Sequence, residues 1–410
     1  LYIYGYGTTS LQTGTVISNN SLNSYSYRGI VAYYQIAPVI SENYIYMDNN
    51  AYSTVSGMYL SYCDDGLQLT NNKINIQVPV DGYGIYLSSS DGLATAHGLL
   101  ANNFIAFIGV GSTTSSVIYS SSNTYLDIVY NSVNLYDTDT TSRALYVTGG
   151  SSNTLKNNIL AATGGAMTAY FSSTTSVTES DYNNLYTSGS VLGYYSGSKA
   201  DLAAWQTASS KDANSISSDP LFISNSDLHV YLATMNAAAT PIAGITTDID
   251  GEVRNATTPD IGADEFTPLN VNIGVTNILK PVNDFCATTD QDTVKIRIFN
   301  FGATTATSFT VGYKLNGTVV SSQTWTGSLL MGTGIDYEFA TLFTPQAGWN
   351  NLEAFVSITG DGDLTNDTAA FIYKGIPEVS VPYADDFETN DYWGANIVNN
   401  GWEFGVPAGT

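Results

Sequence analysis

Asn71-Asn72-Lys73-Ile74 and Asn102-Asn103-Phe104-Ile105 are two copies of one short phrase, Asn or Asn-Asn followed within two positions by an aliphatic residue. Seven copies stand in the first half of the chain, at Asn20, Asn43, Asn72, Asn103, Asn131, Asn158 and Asn184, separated by 23, 29, 31, 28, 27 and 26 residues. A second lane keeps the same beat: RGIVAYY from Arg28, SGMYLSY from Ser56, YGIYLSS from Tyr83, SSVIYSS from Ser115 and SRALYVT from Ser142. Two lanes sharing one period describe a single supersecondary unit repeated along an axis.

Each lane is a short alternating run, such as Ile85-Tyr86-Leu87 or Leu67-Gln68-Leu69, bounded by Gly, Asn and Ser. Such alternation marks a strand with one buried face. A period of roughly 22 to 31 residues holds two or three strands with their turns and leaves no room for a long helix, whereas a propeller blade needs about 40 residues. Asn suits the turn because it tolerates the left-handed backbone region, and stacked Asn side chains hydrogen-bond from coil to coil. Gly29, Gly57 and Gly84 are expected at a second corner, where the missing Cβ relieves crowding. The fold class that follows is all-β, a right-handed parallel β-helix, with Ile74, Ile105, Val133 and Ile159 or Leu160 in its core.

Composition narrows the function classes. Only 12% of the 410 residues are charged, yet the net charge is −24 with pI near 4.1. That surface repels nucleic acid and anionic membranes, so neither is an expected partner. No run of 18 apolar residues occurs, which argues against direct membrane insertion. Opening mid-pattern at Leu1-Tyr2-Ile3-Tyr4, the chain is expected to be a piece of a longer protein. Cys63 and Cys286 lie far apart in the pattern and are expected to be unpaired thiols.

After Asn184 the repeat decays. Ser198-Lys199-Ala200-Asp201 opens a short helix through Trp205, with Ser198 as the expected cap. DPLF (Asp219 to Phe222), DLHV (Asp227 to Val230), DIDGEVR (Asp248 to Arg254) and DIGADEF (Asp260 to Phe266) follow in order. This order resembles the C-terminal end of secreted right-handed β-helix proteins of Bacteroidetes. The resemblance covers residues 1–266, with a cap over about 198–266, and identifies a fold carried by enzymes and non-enzymes alike.

From Pro268 the rhythm becomes that of a β-sandwich, with runs Val294 to Phe299, Phe309 to Leu315, Tyr337 to Phe343 and Leu352 to Ile358. FNFGATTATSFTVGYKLNG with GDGDLTNDTAAF resembles the Ig-like CARDB-type module of bacterial surface proteins, over 268–375. Residues 376–410, from Val381-Pro382-Tyr383 to Trp402-Glu403-Phe404, resemble the start of a concanavalin-like jelly roll, incomplete at this length. Resemblance to modular exported proteins of gliding Bacteroidetes implies type IX secretion and an extracellular or cell-surface location.

Cys63-Asp64-Asp65-Gly66 precedes Asn72 by nearly the offset at which His97-Gly98 precedes Asn103, so the acidic pair and His97 are expected on adjacent coils. Polygalacturonases, also β-helices, carry an Asp pair with His-Gly one coil on. Asp64, Asp65 and His97 are therefore the catalytic candidates of an inverting hydrolase. The family's Asn-Thr-Asp and Arg-x-Lys elements are absent here, which leaves a turn with an acidic tip as the simpler expectation. A lyase would need a basic residue beside carboxylates, and Arg28, Lys73, Arg143 and Lys156 have no acidic cluster in register. Asp361, Asp363 and Asp367 have the oxygen-rich spacing of a calcium loop without its terminal Glu. Asp248, Asp250 and Glu252 form a second acidic turn. Both segments could bind calcium, a hydrogen-bonded Asx turn between strands is the simpler expectation for each, and no cofactor other than calcium is implied. Arg254 is expected to pair with Asp260 or Asp264. Asp292-Thr293-Val294 and Asp367-Thr368-Ala369 resemble the short O-glycosylation signal of Bacteroidetes.

Tyr25, Tyr27, Tyr33, Tyr34, Tyr59, Tyr62, Tyr86 and Tyr119 flank the second lane. Stacked on neighbouring coils they stabilise the sheet; turned outward they make a strip suited to sugar rings. The functional expectation is a non-enzymatic adhesin or stalk, with extracellular polysaccharide or the secretion and gliding machinery as partner. A secreted polysaccharide-degrading enzyme is the alternative.

Overall fold

Each repeat supplies one strand to each of three sheets, and all three stack coil on coil. In a middle coil these strands are Asp81–Ser88, Gly98–Ala101 and Phe104–Ile108. Two sheets hold seven parallel strands in chain order; the third, built from the second lane, holds ten. The computed structural model describes residues 1–375 except 24, 26, 50, 110–113 and 283–290. Cys286 and the jelly-roll segment expected at 376–410 lie outside the described residues. The chain divides into two units, Leu1–Thr267 and Pro268–Thr410. The first is a parallel β-helix of about seven coils.

The asparagine lane stacks as a hydrogen-bonded ladder. Asn20 Nδ2 donates to Asn43 Oδ1 at 2.9 Å, and the bond repeats from Asn43 to Asn72, Asn72 to Asn103, Asn103 to Asn131, Asn131 to Asn158 and Asn158 to Asn183 at 2.9–3.0 Å. Each amide also serves the backbone: Asn72 Nδ2 reaches the carbonyls of Ile40 and Thr70, while Asn72 Oδ1 accepts the backbone N–H of Asn43. Buried amides fully partnered in this way cost little to desolvate. The seventh rung is Asn183 rather than Asn184. Both residues are Asn, and what separates them is the partner: Asn183 Nδ2 donates to Asp212 Oδ1, whereas Asn184 Nδ2 turns to the carbonyl of Ser218.

The paired asparagines divide two tasks that the sequence presents as one. The left-handed turn falls on the residue before each rung: Asn19, Glu42, Asn71, Asn102, Tyr130, Asn157 and Tyr182 all have φ between 53° and 59°. The rung itself points inward. Immediately beyond the rung, Ile45, Ile74, Ile105, Val133, Leu160 and Leu185 align and are at most 2% exposed. Leu160 therefore takes the core position, and Ile159 faces out beneath Gly262. A Cβ on Gly262, at φ 107°, would meet Ile159 Cδ1 at 2.7 Å.

Gly29, Gly57 and Gly84 are not corners. They lie inside the second-lane strands Arg28–Ile36, Thr54–Asp64 and Asp81–Ser88. A Cβ on Gly57 would meet Ile74 Cγ2 at 2.6 Å, so glycine here makes room for the asparagine sheet's core residues.

Helix α1, Leu202–Ser209, closes the stack. Asp201 caps it by accepting the Ala204 N–H at 2.8 Å. The expected cap, Ser198, is taken up in an antiparallel pairing with Tyr194. Buried Trp205 packs against Phe171 and Tyr195 and donates Nε1 to Asp212 Oδ2 at 2.8 Å. Asp212 accepts from Ser180, Asn183, Trp205 and Ser215, so the ladder ends on a carboxylate that needs no further acceptor.

Residues 215–266 do not stay at the end of the stack. They return along the asparagine sheet as a strap, held by the turn residues whose side chains point outward. Asn157 Nδ2 and the Tyr130 hydroxyl donate to the Thr240 carbonyl, Asn102 Nδ2 to that of Thr247, and Asn71 Nδ2 to that of Asp248. Leu228, Ile249 and Ala263 cover Phe104 and Ala106 on the outer face of that sheet. Arg254 lies over the Tyr130 ring, 4.1 Å from its centroid, and donates to Asn102 Oδ1 and the Gly262 carbonyl. Its acidic partner is Glu265 at 3.4 Å, not Asp260 or Asp264.

The second unit packs two antiparallel sheets around one core. Ile273–Lys280, Lys295–Asn300 and Gly334–Glu338 form one; Thr318–Leu329, Ala306–Leu315, Gly348–Ser357 and Thr368–Gly375 form the other. Ile296 and Ile298 meet Val311, Tyr313, Leu352 and Ala354 between them.

Replacing Ile105 by Ala should cost about 2–5 kcal/mol through the cavity left in the core. Asn103→Leu should be at least as harmful, because it strips acceptors or donors from the coils on both sides, at about 1–3 kcal/mol for each buried group left unpartnered. Calorimetry should show both variants lowering the transition of the β-helix while that of residues 268–375 stays in place; a shift of both transitions together would contradict separate cores.

Candidate functional site

The acidic turn and His97 do lie on adjacent coils, for a Cβ on Gly66 would sit 3.6 Å from that of Ala96. Their side chains serve different partners. Asp64 Oδ1 accepts the Asp91 N–H at 3.0 Å, and Asp91 Oδ1 in turn accepts that of Thr124 at 2.7 Å. Burial raises the Asp64 pKa, and the charges of Asp91 and Asp65 add to the effect. Asp65 occupies the left-handed turn at φ 61°. His97 turns the other way: its Nδ1 lies 3.0 Å from Asp127 Oδ1, and its ring packs near Tyr125. Cys63 is a buried free thiol whose pKa burial pushes to about 12, so it carries no nucleophile.

In the second unit Asp361 accepts the backbone N–H groups of Ile273 and Asp363, and Asp363 accepts that of Thr365, each at 3.0 Å. The last two are Asx-type bonds within the loop, and the first ties the loop to the strand Ile273–Lys280. Asp367 Oδ1 and Asn366 Oδ1 are buried without a hydrogen-bond partner. Burial, then the charges of Asp361 and Asp363, push Asp367 up to about 6. Thr293 Oγ1 is also buried, whereas Thr368 is exposed.

One charged cluster was invisible in the sequence. Lys73, on the asparagine sheet, meets Asp250 of the strap with Nζ to Oδ1 at 2.8 Å. The acidic partner absent from Lys73's own register thus comes from 177 residues further along. His229 Nε2 lies 2.8 Å from Asp250 Oδ2, and its Nδ1 is bonded to Asp227. Burial disfavours the charged ring, but the bonds to Asp227 and Asp250 outweigh it and raise the His229 pKa. Phe104 meets the imidazole edge-on at 4.8 Å. Asp264 stands behind, pushed up to about 6 by burial, with His229 opposing and Asp248 and Asp250 adding to the rise. Asp248 is spent on structure, accepting from the backbone of Asp250, Glu252 and Glu265. The one available signal was that DLHV, DIDGEVR and DIGADEF each carry a ligand-type side chain.

On the opposite lane the tyrosines align. Tyr59, Tyr86, Tyr119, Tyr146, Tyr170 and Tyr194 occupy one register position on six successive coils. Ring centroids are 4.2–5.1 Å apart along this row, and Tyr33 and Tyr4 extend it at 5.8 and 4.9 Å. Two positions on, Ser61, Ser88, Ser121 and Thr148 make a parallel row of hydroxyls. Arg28 lies 3.7 Å from the centroid of Tyr59, and Arg143 lies 4.5–4.7 Å from those of Tyr170 and Tyr146. Arg143 Nε is buried and unpartnered. Burial, with the neighbouring Tyr86 hydroxyl, raises the pKa of Tyr59, so its hydroxyl stays a donor at neutral pH.

No protein-family model matches the chain, and no curated protein matches it. Solved structures do match, over the C-terminal region. A domain of a putative cell surface protein from Methanosarcina acetivorans is similar at 23% identity and TM-score 0.23, over 27% of this chain and 96% of that one. The CARDB domain of a Pyrococcus furiosus protein is similar at 20% identity and TM-score 0.22, over 27% and 96%, and its crystal form in complex with di-metal ions at 23% and 0.21, over 27% and 93%. Among the described residues no helix is long and apolar enough to cross a membrane.

Asp260 tests the strap. Burial pushes its carboxyl up to about 7 against the pull of the Phe266 and Ala237 N–H groups. The folded chain therefore holds a proton that the unfolded chain releases near pH 4, and stability falls as pH rises from about 4 to 7. The thermal midpoint of the β-helix should drop across that interval, and Asp260→Asn should flatten the slope.

Proposed function

We propose that the chain is part of a modular extracellular surface protein, and that its β-helix presents the tyrosine ribbon as a binding strip for polysaccharide. The observation that carries this is the ribbon itself: rings on successive coils at about the strand spacing of 4.8 Å, flanked by a hydroxyl row and two arginines. Phenol edges and serine hydroxyls complement the alternating apolar and hydroxyl faces of a sugar chain. Arg143, whose guanidinium lies over the Tyr146 and Tyr170 rings of the ribbon, favours a glycan bearing carboxylate or sulfate groups. Stacking between coils is compatible with this role, because the rings remain half-buried with part of each facing solvent. An adhesin or stalk needs such a strip and no catalytic cleft. Export through type IX secretion, and contact with the secretion or gliding machinery, belong to the same proposal through the sequence resemblance alone.

A second element is a calcium ion in the Asp361, Asp363 and Asp367 loop. The buried unpartnered oxygens of Asp367 and Asn366 favour it, since a hard cation would satisfy both. Calcium should raise the thermal midpoint of the second unit, and Asp367→Asn should abolish that rise.

Binding is measured by affinity electrophoresis against a panel of neutral and acidic polysaccharides. Tyr86→Ala with Tyr119→Ala should weaken binding at least tenfold, about 1.4 kcal/mol. Tyr86→Phe with Tyr119→Phe keeps the stack and isolates the hydroxyl contribution. Asp64→Asn, Asp65→Asn and His97→Ala should change nothing. Unchanged binding in the folded ring variants sinks the proposal. Reducing-sugar release from a polyuronide, lost in Asp65→Asn, would establish the hydrolase instead, since loss of an acid or base typically costs 10²- to 10⁴-fold in rate.

A further inference from the structure

We propose that His229, Asp250 and Asp264 bind a divalent transition-metal ion of the zinc type, which ties three loops of the strap together beside Lys73. One ligand atom from each lies within 4.8 Å of the others. Zinc takes imidazole nitrogen and carboxylate oxygen at about 2.0–2.2 Å in a tetrahedron. Such donors stand about 3.3–3.5 Å apart, so side-chain rotations of about 1 Å close the site. The mixed donor set decides the class of ion: calcium and magnesium prefer all-oxygen shells, whereas imidazole suits zinc and its neighbours.

Two further observations point to a cation. The first is the orientation of His229. Its Nδ1 is held by Asp227, which directs Nε2 at Asp250 Oδ2, 2.8 Å away. A carboxylate on the far ring nitrogen is the usual outer partner of a metal-bound histidine. The second is Asp264, which is 7% exposed and offers a carboxylate oxygen to the cluster, where it is held by the Val230 backbone N–H and faces His229. Burying a carboxylate is costly, and an ion between Asp264 and His229 lowers that cost. Lys73 holds Asp250 Oδ1, and Oδ2, 2.8 Å from His229 Nε2, is the oxygen that would exchange that contact for the ion. A groove of about 240 Å³, lined by Tyr44, Lys73, Phe104, Asp227 and His229, opens beside the His229 ring. Lys73 also opposes the ion, since its charge lies beside the ligand set.

The test uses the full chain, stripped with chelator and titrated calorimetrically with zinc chloride, and with Co²⁺ as a spectroscopic probe. One ion per chain is expected, with visible Co²⁺ bands of a four- or five-coordinate site and a rise in the thermal midpoint of the β-helix. His229→Gln and Asp264→Asn should each weaken zinc at least tenfold, and Lys73→Met should tighten it. Diffuse attraction to a chain of net charge −24 would be indifferent to these changes. Binding well below one ion per chain, or equal affinity in all variants, overturns the proposal. Should the ligand variants fail to fold by circular dichroism, wild-type chain decides alone: Co²⁺ without those bands sinks it.

Discussion

A buried primary amide must find two acceptors for its protons and a donor for its oxygen, and in this β-helix neighbouring coils supply them. That requirement sets the register. A slip of one residue would place the Asn side chain on the solvent face and leave the neighbouring rungs unpartnered. The coils differ in length, from 23 to 31 residues between rungs in the sequence. The ladder tolerates this because the extra residues are absorbed in turns between sheets, while the step from turn to rung to core aliphatic never varies. Termination follows the same chemistry. Asp212 accepts without needing an acceptor, so it ends the ladder and, through Trp205, joins it to α1.

The doubled asparagine links the inside of the fold to its outer flank. The rung is buried, and the preceding residue, forced into the left-handed region, turns its side chain outward. Asn71, Asn102 and Asn157 use that side chain to hold the returning strap. Covering the asparagine sheet in this way brings charges from the closing motifs onto the flank of the coils, where Lys73 meets Asp250.

The tyrosine row and the charged cluster beside Lys73 lie along the flanks of the coils. Asp64, a catalytic candidate from its spacing, accepts the Asp91 N–H at its turn, and the calcium candidate Asp361 accepts that of Ile273. On the tyrosine face each ring packs against the ring on the next coil while remaining half-buried.

Periodicity alone determined the class of fold, the core positions Ile74, Ile105 and Val133, and six of the seven rungs, since each follows from a local pattern repeated in register. The last rung was ambiguous in Asn183-Asn184, where two identical residues differ only in what lies across from them. The placement of Gly57 inside a strand and the shift of the helix cap from Ser198 to Asp201 likewise depend on neighbouring strands. The strap and its charged cluster were beyond sequence altogether. His229, Asp250 and Asp264 are legible as residue types, but Lys73 and Asp250 meet across 177 residues, and only the packing of Leu228, Ile249 and Ala263 on Phe104 decides that they touch. Hydrogen-bond ladders repeat locally and leave a trace in the sequence; a single long-range docking contact occurs once and leaves none.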